Sequence, residues 1–138
     1  EEAALFFEKS LEHKFKFSNE VRWQLIDLFT KQEKYERVLE LYQELLEEDS
    51  DPKEFINALH ISVDILDKPE IALKITEKLI SKNPEDITMM NLHAWALIAN
   101  EQFKTAEHFL NQSIKLKPNN PRTYLNFGLL YEKQGLYN

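Results

Sequence analysis

One interval governs this chain of 138 residues, and it is 34. Pro84 and Pro118 stand 34 residues apart, as do Met90 and Tyr124, Ala94 and Gly128, Leu97 and Tyr131, and Phe103 and Tyr137. Stepping backwards by the same interval needs no gap. Ala106 falls on Ala72, Val38 and Ala4; Leu97 falls on Val63 and Phe29; Leu79 falls on Leu45 and Leu11; Tyr35 falls on Pro69, Phe103 and Tyr137. A constant period in the range of about 20–50 residues marks an array in which each repeat is one supersecondary unit. The chain divides into full repeats 19–52, 53–86 and 87–120, flanked by partial repeats 1–18 and 121–138.

Each full repeat carries two apolar stripes at helical spacing. In 19–52 the first is Leu25, Ile26, Leu28 and Phe29, and the second is Tyr35, Val38, Leu41, Tyr42, Leu45 and Leu46. Short polar breaks, "KQEK", "LDKP" and "ANEQ", separate the stripes. Pro69 stands where a second helix begins, a position that tolerates its missing N–H and fixed φ. After each second stripe, "EEDSDP", "SKNPED" and "LKPNNP" end one helix and start the next. The chain has only 2 glycines, too few for the many turns of a sandwich or barrel. The expected fold is all-α: about eight helices arranged as antiparallel hairpins, none able to bury its apolar face alone and each stacked on its neighbours.

This pattern resembles the tetratricopeptide repeat family. The resemblance rests on a small residue in the first helix (Ala94, Gly128), an aromatic opening the second (Tyr35, Phe103, Tyr137), an alanine a few residues later (Ala4, Ala72, Ala106) and a closing proline (Pro84, Pro118). It covers the whole chain and is densest in "NPRTYLNFGLLYEKQGLYN". Val38, Ile26, His60 and Ser50 depart from it. The resemblance implies a right-handed superhelical solenoid, 1–138, with a concave groove lined by first helices. Carried over by position, the groove residues that would hold a peptide or partner segment include Trp23, Asp27, Asn57, Ile61, Asp64, Asn91, Trp95, Arg122 and Leu125. Asn57 and Asn91 share one repeat position, and a carboxamide offers donor and acceptor together for a peptide backbone. Trp23 and Trp95 suit apolar side chains. On this reading, replacing both asparagines weakens partner binding and leaves stability nearly unchanged. The Lys and Asn of the family's clamp for chaperone C-termini are absent, since Trp23 and Asp27 stand there.

Residues 1–18 then correspond to a second helix without its first, and 121–138 to a first helix without its second. Leu5, Phe6, Phe7 and Leu11 at one end, and Leu129, Leu130, Tyr131 and Tyr137 at the other, are expected to be exposed. A piece of a longer array, or ends covered by another chain, would account for that. A homo-oligomer through the terminal helices follows as a possibility.

Little else in the sequence offers chemistry. There is no phosphate loop, no paired-histidine metal motif and no nucleophile elbow. Cysteine is absent. His60 and Asp64 sit one turn apart but suggest a surface pair rather than a metal site, and His93 is expected to be a satisfied core histidine. No metal, cofactor or catalytic residue is expected. The net charge of −7 argues against nucleic acid. No apolar run reaches the roughly 20 residues of a membrane span, so direct membrane insertion is not expected. Residues 31–51 carry three basic and eight acidic side chains, and 104–138 five basic and two acidic. The leading expectation is a non-catalytic protein–protein interaction module, with the cytoplasm slightly favoured. The alternatives are a scaffold segment that self-assembles through its ends and a regulatory repeat domain of a larger enzyme.

Overall fold

The structure, a computed structural model, describes Leu5, residues 18–47 and residues 51–135. It is all-helical among those residues. The chain forms two compact units, Glu1–Ser50 and Asp51–Asn138. The second helix expected over 1–18 lies outside the described residues except for Leu5, which is exposed. Tyr137 also lies outside them.

The first unit holds α1 (Asn19–Lys31) and α2 (Tyr35–Leu45). Ser18 caps α1 by accepting from the Val21 N–H at 3.3 Å. The stripes expected from periodicity form the interior: Leu25, Ile26, Phe29, Val38, Leu41, Tyr42, Leu45 and Leu46 are all buried.

The second unit opens with a 3₁₀ turn (Pro52–Phe55), α3 (Ile56–His60) and a π turn (Ile61–Ile65), which together form one continuous first helix. It continues with α4 (Pro69–Lys82), α5 (Ile87–Ala99), α6 (Phe103–Leu116) and α7 (Pro121–Lys133). Pro69 is the first residue of α4, as expected. Sequential helices pack on one another, and α7 also packs on α5, so successive first helices lie side by side within this unit. Its core gathers Ala94, Leu97, Ile98, Ala106, Leu110 and Leu130. Leu130 is therefore interior, not part of an exposed end, because α7 turns that side onto α5 and α6. Tyr131 is exposed, and Gly128 faces open space, with nothing within 4 Å of an added Cβ among the described residues. Ala94, at the same repeat position, is fully buried.

The 34-residue interval is written into the backbone. Second helices begin at Tyr35, Pro69 and Phe103, and first helices end at Lys31, Ile65, Ala99 and Lys133. The left-handed residue between them recurs at Glu33, Asp67, Glu101 and Gly135, with φ of 59°, 53°, 59° and 73°. There the backbone reverses through paired bonds: Lys34 N–H donates to Phe29 O at 2.9 Å and Glu33 N–H to Thr30 O at 3.1 Å. Gln102 to Leu97 (2.9 Å) and Glu101 to Ile98 (3.0 Å) repeat the pattern. This is the Schellman termination, which satisfies the last helical carbonyls.

Repeat 53–86 departs from the others in a way that can be counted. Its first helix starts at Pro52, one residue before the repeat boundary, under a capping box made by Asp51 and Glu54. The extra residue must be absorbed before Asp67, or the period would be lost. The π turn absorbs it: Leu66 N–H reaches Ile61 O at 2.9 Å, and Lys68 N–H reaches Ser62 O at 2.7 Å, one residue further back than its counterparts. Ser62, fully buried, fastens the widened turn. Its hydroxyl donates to Lys68 O at 2.5 Å and accepts from the Ala72 N–H at 3.0 Å.

Candidate functional site

Trp95 on α5 is the centre of the candidate site. Its ring is half-buried and meets His60 edge-on, with centroids 5.3 Å apart. His60 Nδ1 lies 2.9 Å from Asp64 Oδ2, one turn along the same first helix. The indole N–H makes no hydrogen bond among the described residues and remains available. A depression opens on each side of the ring. The smaller, about 70 Å³, is bounded by Leu59, His60, Asn91, Arg122 and Asn126. The larger, about 490 Å³, has walls of Val63, Asp64, Asp67, Glu101, Phe103 and Lys133, with Ile98 and Leu129 beneath. That volume falls in the range of ligand-binding clefts, about 300–1,000 Å³.

The floor of the smaller depression is held by a buried polar cluster. Asn91 is fully buried. Its amide donates to Ile87 O at 3.1 Å, Ser113 Oγ at 3.3 Å and Thr123 Oγ1 at 3.0 Å. The Asn126 amide donates in turn to Asn91 O at 3.0 Å and Asn91 Oδ1 at 3.2 Å. The carboxamide expected to grip a peptide is thus committed to joining α5, α6 and α7, and that expectation is corrected. Asn57, at the same repeat position, is exposed. The two do not form the expected exposed pair.

His93 is the core histidine expected from its position. It is buried, with Nδ1 2.9 Å from Thr76 Oγ1 and its ring edge-on to Phe109. Burial strips water from the charged form and lowers its pKa from 6.5 to about 4. His60 and Asp64 form a pair, and no group of three or more His, Cys or acidic side chains able to hold a metal occurs among the described residues.

Asp64, Asn91, Trp95 and Arg122 are therefore brought together around the two depressions. Ile61 is not an open groove residue: at 2% exposure it packs into the core at the π turn. Leu125 is 74% exposed and borders neither depression. Trp23 and Asp27 belong to the other unit, where Trp23 is half-buried and edge-on to Tyr42 (5.8 Å) and Asp27 is exposed. Asp67 and Glu101 escaped the sequence reading of the groove. The signal was present: an acid recurs 34 residues apart in the three breaks between first and second helices, at Glu33, Asp67 and Glu101.

A sequence model of ChAPs, the Chs5p-Arf1p-binding proteins, matches residues 8–137. The chain belongs to the ChAPs family. The match spans nearly the whole sequence and both units. The ChAPs are named for binding other proteins, which agrees with an interaction role. The family that the sequence identifies is thus the ChAPs; the likeness to tetratricopeptide repeats is one of repeat pattern. No curated protein matches the chain. No helix among the described residues of this ChAPs chain is long and apolar enough to cross a membrane.

Proposed function

We propose that this chain is a non-catalytic protein-binding module, and that it holds a segment of a partner protein against the Trp95 face of the unit Asp51–Asn138. One observation carries the reading: a large, half-buried aromatic ring whose N–H makes no hydrogen bond among the described residues borders two depressions formed where three successive first helices meet. Aromatic side chains in such settings are the usual anchors of protein interfaces. The rigid scaffold fits the same role. Asn91 and Asn126 bond α5, α6 and α7 together, so the backbone that carries Trp95 and Arg122 is set before binding. Asp64 and Arg122 supply charges of opposite sign on opposite sides of the ring, which would set the direction of a bound segment. On this unit Asn57 and Leu125 are proposed as secondary contacts, and Ile61 and Asn91 as supports; Trp23 and Asp27 are proposed as contacts of the unit Glu1–Ser50 by itself.

The family description directs the choice of partner. Chs5p and Arf1p are the proteins to titrate, by calorimetry, against the chain and its Trp95→Ala variant. Loss of an aromatic anchor costs about 2 kcal/mol or more, roughly a thirtyfold weakening. Equal affinity of the two chains for whichever partner binds would refute the Trp95 face.

A second reading has its own support. Leu116, Tyr124, Leu125 and Tyr131 are large apolar residues left exposed on α6 and α7. Self-association through that surface would appear in light scattering as a mass that rises with concentration and returns to monomer in Leu125→Glu. A constant monomer mass would dismiss it.

A further inference from the structure

The larger depression has a charge as well as a shape. Resting on the reading above, we infer that it selects partner segments in which a Lys or Arg neighbours an apolar side chain. Its floor is apolar, formed by Trp95, Ile98 and Leu129. Three carboxylates, Asp64, Asp67 and Glu101, line it against a single ammonium, Lys133. Asp67 and Glu101 make no side-chain hydrogen bond or ion pair among the described residues. Among the described residues Asp64 pairs with His60 alone, which carries charge only when protonated. The cavity is therefore net negative over a low-dielectric floor, a combination that concentrates cations and repels acidic segments.

Two backbone features reinforce the point. Asp67 and Glu101 occupy left-handed positions, φ 53° and 59°, where glycine is the unstrained choice and is used at Gly135. The turn itself does not require a carboxylate at either place, since glycine serves at Gly135. The π turn, itself a frequent companion of functional sites, contributes Val63 and Asp64 to the same wall. An apolar side chain fits over the Trp95 floor, and a basic neighbour reaches the acidic rim.

The test is a selection from a random decapeptide library, performed with the chain, with Trp95→Ala, and with the triple variant Asp64→Asn, Asp67→Asn, Glu101→Gln. Circular dichroism confirms that each is folded. The expected result is enrichment of sequences that pair an apolar residue with Lys or Arg. Their binding is lost in Trp95→Ala, falls about tenfold in the triple variant, and weakens with added salt. Sequences that need Trp95 but show no basic preference, or bind the triple variant equally well, would overturn this inference and leave the Trp95 face standing. If no selected sequence depends on Trp95, both fall.

Discussion

Asn57 and Asn91 stand 34 residues apart, yet one is exposed and the other has no contact with solvent. The reason lies in their surroundings. Asn91 is met by Ser113 and Thr123, whose hydroxyls accept from its amide. One repeat earlier the corresponding residues are Leu79 and Met89, both buried and neither an acceptor of that kind. The difference could be found in the sequence only by asking which polar residues interrupt the apolar stripes together. Asn91→Ala removes the amide bonded to Ser113, Thr123 and Ile87 O and the Oδ1 that accepts from Asn126, leaving the two hydroxyls their bond to each other and Asn126 its bond to Asn91 O, a loss of about 1–3 kcal/mol measurable by urea unfolding. Asn57→Ala should stay within about 0.5 kcal/mol. His93 gives a residue-scale prediction in pH. Its pKa is about 4 in the folded chain against an ordinary 6.5, so between those values the unfolded chain binds the proton and the folded chain does not. Stability from this group is complete above pH 6.5, falls as pH drops towards about 4, and then levels off. The total is on the order of 3 kcal/mol. In His93→Gln that part of the pH dependence should vanish.

At the scale of elements, periodicity located the helices well because most are amphipathic stripes ended by Schellman turns or polar caps; α5, buried on nearly every side, is marked instead by its Asp86 cap and the turn after Ala99. It did not foresee the π turn. Apolar spacing is too coarse to register one extra residue when the period closes correctly on both sides. Ser62 carries the load of that insertion, bridging Lys68 O and the Ala72 N–H. Ser62→Ala should cost about 1–3 kcal/mol, and Ser62→Gly should not restore it. Amide exchange in Pro69–Ala72, at the start of α4, should quicken in both variants. Ala106 illustrates the opposite case, a position read correctly from its period. It is fully buried, as are Ala72 and Val38 at the same register. Ala106→Leu overpacks the contact and should lower stability by roughly 1–3 kcal/mol.

Taken whole, the chain is legible as a repeat because helix ends, left-handed turns and buried alanines share one interval. The site was only half legible. Trp95, Asp64 and Arg122 follow from position in the first helices, but Asp67 and Glu101 come from turns, where no apolar pattern points inward. A binding role for the molecule predicts a localised footprint. The most direct measurement is hydrogen–deuterium exchange on the chain, alone and saturated with the Chs5p or Arf1p partner that binds it. Slowed exchange in the turns around Asp67 and Glu101, with the outer side of α6 unchanged, is the predicted result. Protection confined to α6 or to the unit Glu1–Ser50, with those two turns unaltered, would contradict the account.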